Sequence, residues 1–203
     1  MTKKKAQTIR LRSGKVPLTV SRSQLLVDGS DREFRNLVHG LFAYLAIHTS
    51  IRDGYAEILG LGGQQYTILL CIRHLGVDEP VNVRTVADHL RLSGSFITVE
   101  TNKLENMGLL YKDRQATDRR MVSLKLTDRG NSLLDRIAPL RRQVNDVQFE
   151  TLTAREFRQL VLLVYRLIDS GDRALSLLRF LRRNKFGVAA VENQRLSELT
   201  PSN

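Results

Sequence analysis

The residues from Val83 to Gly130, VRTVADHLRLSGSFITVETNKLENMGLLYKDRQATDRRMVSLKLTDRG, leave the chain few ways to fold. Asn82 is suited to cap a helix whose inward positions are Val83, Val86, Ala87 and Leu90. Ser93 is suited to cap a second helix, running to about Met107, with Ile97, Thr101 and Leu104 inward and Gly108 as its stop. Leu109 to Arg114 and Met121 to Leu126 then read as two strands around a charged tip, Gln115 to Arg120. In the second strand Val122, Leu124 and Leu126 alternate with Ser123 and Lys125. Two helices, a tight turn between them and a hairpin behind predict a helix-turn-helix carrying a β-hairpin wing.

The flanks are helical. Asp31 is expected to cap a long helix to about Leu59, with Phe34, Leu37, Val38, Leu41, Tyr44, Leu45 and His48 at i, i+3, i+4 spacing. Gly60, Gly62 and Gly63 break it, and a helix from about Gln64 to Leu75 follows, with Ile68, Leu69, Ile72 and Leu75 on its apolar side. Gly76 ends that helix and Pro80 sits in the next loop. Beyond the wing, Thr127 caps a helix to about Phe149 with Leu133, Leu134, Ile137, Leu140 and Val144 in one stripe and Pro139 inside, where a bend is expected. Thr153-Ala154-Arg155-Glu156 is a capping box opening a last helix to about Leu181, with Phe157, Leu160, Val161, Val164, Leu167 and Ile168 in its stripe. Gly171 argues against one unbroken helix there. The fold class is mainly α with a small β-hairpin wing (α+β). The expected organisation is a basic arm at 1–30, a winged helix at 62–130 within a domain of 31–181, helical dimerisation segments at 31–60 and 131–181, and a tail at 182–203.

Charge narrows the partners. Lys and Arg number 32 against 21 acids, a formal net charge of +11. The isoelectric point near 10.3 implies a polyanion, nucleic acid or an acidic membrane face. Lys3, Lys4, Lys5, Arg10, Arg12, Lys15 and Arg22 precede the first acid, Asp28. Ile9, Leu11, Val16, Leu18 and Val20 alternate around Ser13-Gly14, which fits a hairpin, an arm that orders on contact, or a disordered tail. Cys71 is the single cysteine, so no intrachain disulfide and no cysteine zinc site can form. The chain reads as cytoplasmic, with no signal peptide, no membrane span and no membrane partner.

Enzyme chemistry finds no support. Gly60-Leu61-Gly62-Gly63 lacks the following Lys-Ser/Thr and the preceding strand of a phosphate loop. Ser93-Gly94-Ser95 lacks the flanks of a nucleophile elbow. Histidines 39, 48, 74 and 89 have no metal-ligand spacing, so neither a metal site nor a cofactor is expected.

A major groove admits one helix and is read from its N-terminal turns. On the second helix of the central stretch, Ser95, Phe96, Val99, Asn102 and Lys103 remain on the outward sides. Ser95 and Asn102 can hydrogen-bond base edges or phosphate, Phe96 and Val99 can pack on thymine methyls, and Lys103 suits a phosphate. Ser93 and Thr98 share this region, and Arg114, Arg119 and Arg120 belong to the wing, where a guanidinium can enter a minor groove. Double-stranded DNA is the expected partner of all ten.

Two motifs give the stretch a family. Asp118-Arg119-Arg120 followed by Val122, Leu124, Leu126-Thr127 and Gly130 resembles the wing pattern of the MarR (multiple-antibiotic-resistance regulator) family. Leu104-Glu105 followed by Gly108-Leu109 resembles the end of that family's recognition helix. The resemblance covers residues 61–178 and implies a homodimer held by the first and last two helices, one winged helix per half of a palindrome, and Arg119 as the minor-groove arginine. Val99, where the family commonly has arginine after threonine (here Thr98), and Asn102, where aspartate is common, depart from the pattern. The basic arm is also longer than the family core needs.

The resemblance further implies a pocket for an anionic aromatic effector. Tyr44, His48 and Arg52 lie four residues apart on one face of the first long helix, and the next helix adds Tyr66 and Arg73. Either arginine could pair with a carboxylate; equally, the two tyrosines, the histidine and the arginines could be core packing and solvated charge. The resemblance also allows Cys71 as a redox sensor, but with no obvious basic activation in the sequence and an apolar helix around it, it reads as a buried structural thiol. The expected function is a sequence-specific, ligand-responsive repressor binding an inverted repeat as a homodimer, with an aromatic acid or its thioester as effector. An architectural protein that coats DNA without sequence preference, and a protein-interaction module, are the alternatives.

Overall fold

The computed structural model describes residues 16–77, 79–114 (without the side chain of Arg114) and 122–184. The elements run α1 Arg32–Ile58, α2 Gly63–Leu75, α3 Val83–Leu90, α4 Gly94–Asn106, β1 Leu110–Arg114, β2 Val122–Leu126, α5 Asp128–Phe149 and α6 Ala154–Arg183. Two compact units divide at Pro139–Leu140, inside α5. The arm's first 15 residues, the wing tip with Arg119 and Arg120, and the tail from Lys185 lie outside the described residues.

In the first unit one core joins every element of the winged helix. Tyr66, Ile68 and Leu69 of α2, Val86 of α3, Ile97 and Leu104 of α4, Leu110 and Leu124 of the hairpin and Leu134 of α5 are all fully buried. At about 1.5–3 kcal/mol per fully buried large apolar side chain, this cluster is the main stabilising contribution to the unit. β1 and β2 pair antiparallel from Leu110↔Leu126 to Arg114↔Val122. The other edge of β2 is used too, as Leu124 N–H donates to Val81 O at 2.6 Å. The hairpin is thereby tied to the residue that precedes α3.

The turns between elements are specific. Asn82 Oδ1 accepts from Thr85 N–H at 2.9 Å and Ser93 Oγ from Phe96 N–H at 3.2 Å, as the sequence predicts for both caps. Arg91 takes the left-handed conformation between α3 and α4 (φ 57°). Gly108 (φ +69°) closes α4, letting Leu109 N–H reach back to Leu104 O at 3.0 Å.

Two sequence expectations are corrected, at Asp31 and at Ser123. Asp31 stands at the N-terminus of α1, but its side chain does not cap the helix. It is fully buried and accepts from Thr19 N–H and Thr19 Oγ1, each at 2.7 Å, and from Arg35 Nε at 3.0 Å. The cap preference lost to a buried ion pair that pins the segment ahead of the helix. In that segment Ser23–Leu25 forms a 3-10 turn, and Asp28-Gly29, both at positive φ, reverse the chain so that Val27 and Ser30 bridge. Ser123 faces inward rather than outward in β2, donating from Oγ to Asp113 O at 3.3 Å. The last helix extends past Leu181 as a continuous 30-residue α6, and Gly171 does not interrupt it; one residue's propensity is outweighed over so long a helix.

The two long helices are mostly uncovered. Among the described residues α6 buries none, and α1 buries only Tyr55 and Ala56, near its C-terminal end. Phe42, Leu45 and Ile47 of α1 are exposed; so, within its own unit, is the predicted stripe of α6, Phe157 to Ile168.

Candidate nucleic-acid interface

The groove-facing candidate is α4. Its amphipathic split follows from which positions the core takes: Ile97, Thr101 and Leu104 are fully buried and Glu100 nearly so. Ser95, Phe96, Thr98, Val99, Asn102 and Lys103 are exposed together with the cap Ser93. Phe96 is 37% exposed and Val99 50%. Two apolar side chains held out of a well-packed core on a helix face are what thymine methyls and the groove floor would cover.

The polar members of this face are partly committed. Ser93 Oγ and Ser95 Oγ lie 3.1 Å apart, so the two hydroxyls form one unit at the helix start. Thr98 Oγ1 donates back to Gly94 O at 2.9 Å. Lys112 of β1 donates to Asn102 Oδ1 and also pairs with Glu105 at 2.9 Å. Asn102 is thus oriented by the wing strand, with its Nδ2 amide as the donor it can offer a base. Lys103 donates from Nζ to Glu100 Oε1 at 2.7 Å. The other oxygen of Glu100 accepts from Gln65 Nε2 at 3.0 Å, and Gln65 in turn accepts from Gly62 N–H at the start of α2. Hydrogen bonds from Lys103 and then Gln65 hold the Glu100 carboxyl below its ordinary range despite burial.

Sequence reasoning did not single out Glu100, Gln65 or Lys112. The i, i+3 spacing of Glu100 and Lys103 was a usable signal for one pair. Nothing in the order of residues marks Gln65 as its partner 35 positions away.

The wing is seen up to its tip. β1 carries Lys112 inward toward α4 and Asp113 toward Lys125 of β2, whose Nζ lies 2.7 Å from the Asp113 carboxylate. That contact raises the Lys125 ammonium above its ordinary value. The backbone of Arg114 closes the ladder opposite Val122.

The five effector candidates meet different partners. Tyr44 and His48 stack with ring centroids 6.0 Å apart on the exposed part of α1. Arg52 donates to Asp53 Oδ1 from Nε at 3.0 Å and from Nη2 at 2.8 Å, and Arg73 pairs with Asp135 of α5 at 2.6 Å. Tyr66 is buried against Tyr55, with ring centroids 6.0 Å apart. Both arginines already face a carboxylate, which an anionic ligand would have to displace. Cys71 is buried, and burial raises its thiol to about 11. No group of three or more metal-ligating side chains occurs among the described residues. None of the described helices is long and apolar enough to cross a membrane.

Comparison with known proteins agrees with this geometry. Residues 55–137 match the family model described as transcriptional regulator SarA/Rot. The uncharacterized HTH-type transcriptional regulator YkoM of Bacillus subtilis is 30% identical over 115 residues, 57% of this chain and 71% of the relative. The HTH-type transcriptional repressor NicR of Pseudomonas putida is 30% identical over 129 residues, 63% of this chain and 78% of the relative. Among solved structures, the transcription regulator MarR from Oenococcus oeni superposes with a TM-score of 0.55 at 24% identity, over 66% of this chain and 98% of that one. Motifs, fold and relatives converge: the chain belongs to the MarR family of DNA-binding, winged-helix transcription regulators.

Proposed function

We propose that the protein is a ligand-responsive repressor that binds an inverted repeat as a homodimer. The observation that carries this reading is the outward face of α4, where Ser95, Phe96, Val99, Asn102 and Lys103 stand exposed while Ile97, Thr101 and Leu104 anchor the helix in the core. Residues 62–130 serve as the reading unit, with Ser93, Thr98, Arg114, Arg119 and Arg120 adding contacts at the helix start and along the wing. Residues 31–60 and 131–181 join two copies, which the uncovered apolar faces of α1 and α6 favour. C2 symmetry then sets two recognition helices about one DNA turn, ~34 Å, apart.

An aromatic acid or its thioester is the effector this reading expects, taken by Tyr44, His48, Arg52, Tyr66 or Arg73. Its carboxylate would compete with Asp53 or Asp135 for an arginine. Release from DNA needs the ligand to favour the non-binding state by several kcal/mol, about 5.5 for a full reversal of populations.

Selection of a preferred duplex from a random pool, then competition with excess random DNA, tests the reading. Specific binding should survive the competition, and Arg119→Ala should weaken it. An architectural DNA-coating protein, which the cations ahead of Asp28 also suit, would lose the duplex to competitor in proportion to mass.

A further inference from the structure

Glu100 is the one ionisable side chain buried in α4. It is 8% exposed, on the helix that carries the groove-facing residues, and both of its oxygens are engaged. Lys103, its partner, keeps a side chain 56% exposed on the outward side. A buried carboxylate in this place contributes little to packing that an apolar residue would not contribute better. What it does uniquely is hold an ammonium that would otherwise be free to meet a phosphate.

We propose that Glu100 is a specificity-determining residue that restrains Lys103 and so lowers sequence-independent binding to DNA. Phosphates lie along every duplex, whereas the contacts available to Ser95, Phe96, Val99 and Asn102 depend on the bases. An ammonium tied to Glu100 must break that pair to reach a phosphate on any sequence. The restraint therefore subtracts from binding to all DNA and leaves base reading untouched, which raises the discriminating fraction of the affinity. Gln65 is the positioning residue: through Gly62 N–H and Glu100 Oε2 it fixes the carboxylate against the start of α2, so that Lys103 is drawn to a fixed point.

The inference rests on α4 facing DNA, and the test separates the two ideas. Full-length wild type, Glu100→Gln, Lys103→Met and the double variant are titrated with a selected duplex and with random duplex over a range of salt. Glu100→Gln should bind random duplex about two- to fivefold more tightly, the scale of a partly exposed ion pair. Its log–log salt slope should steepen by about 0.9 for each phosphate gained. The same substitution on the Lys103→Met background should change neither. An unchanged slope for Glu100→Gln overturns the proposal. So does an equal gain with Lys103 removed. If instead the wild type binds random duplex but does not prefer the selected one, the repressor reading falls while the charge cycle still judges Glu100. Absence of any DNA binding overturns both.

Discussion

Gly130, in the first turn of α5, lies against the carbonyl oxygen of Leu109 so closely that a Cβ would overlap it. The contact is framed by Thr127, whose N–H donates to Leu109 O at 3.2 Å and whose Oγ1 donates to Gly108 O at 2.7 Å and accepts from Gly130 N–H at 3.0 Å. This is where the end of the recognition helix, the wing and α5 are locked together. Gly130→Ala should therefore destabilise the protein by about 1–3 kcal/mol, the usual range for overpacking. Gly171 of α6 provides the contrast, with open space where its Cβ would be. Gly171→Ala should be neutral or stabilising by up to ~1 kcal/mol through helix propensity. In thermal unfolding only the Gly130→Ala variant should lose stability, and a Gly130→Ala variant as stable as wild type would refute the close approach.

These two glycines also show what the sequence could and could not tell. Gly130 belonged to the motif that identified the family, and the structure supplies its reason, a carbonyl within van der Waals reach. The split of α4 was legible because Ile97, Thr101 and Leu104 repeat at helical spacing and the core takes them as a set. Glu100 was not legible: a charge on a helix is usually solvated, and its burial depends on Gln65, which is distant in the chain. Asp31 was placed correctly at a helix start and misread in its bonding, since Thr19 and Arg35 outcompete the helix for its oxygens. The turn at Asp28-Gly29 carried a usable signal, a dipeptide suited to two successive positive φ angles.

Asp31 should clamp the segment that leads from the basic arm into α1. Hydrogen bonds from Arg35 and Thr19 hold its carboxyl well below the usual range. A depressed folded-state value means that this contribution is fully present above the unfolded value, about 3.9, and is lost as pH falls below it. Asp31→Ala should cost about 1–3 kcal/mol, because it strips a buried acceptor from several donors. It should also speed tryptic cleavage at Arg22 relative to wild type at neutral pH. Equal cleavage rates would show that the segment is not held through this carboxylate.

Cys71 should be inert in the folded protein. Burial raises its thiol to about 11, so almost no thiolate exists at neutral pH and the sulfur is covered by the core. A thiol reagent should label it slowly in buffer and quickly in denaturant, at a rate tied to unfolding. The raised value has a second consequence. The neutral thiol favours the folded state up to the unfolded thiol's value near 8.5, and this contribution is lost as pH rises from there toward 11. Cys71→Ala should therefore flatten part of the alkaline decline in stability. Rapid labelling of the native protein at pH 7 would contradict a structural role.

The exposed faces of α1 and α6 bear on assembly. Leu41, Phe42 and Leu45 stand uncovered on α1, and Leu163, Val164 and Leu167 on α6. A 30-residue helix that buries no side chain within its own unit needs another surface to remain ordered. If that surface is a second copy, folding and association are one equilibrium, and the unfolding midpoint should rise with protein concentration. Leu45→Glu and Leu167→Glu should each shift sedimentation from dimer toward monomer and lower the midpoint. They should also reduce affinity for a two-half-site duplex far more than for a single half-site, because only the pair of winged helices gains from the symmetric spacing. A midpoint independent of concentration over a hundredfold range, with a monomeric mass throughout, would rule out the homodimer and return these apolar faces to a different partner.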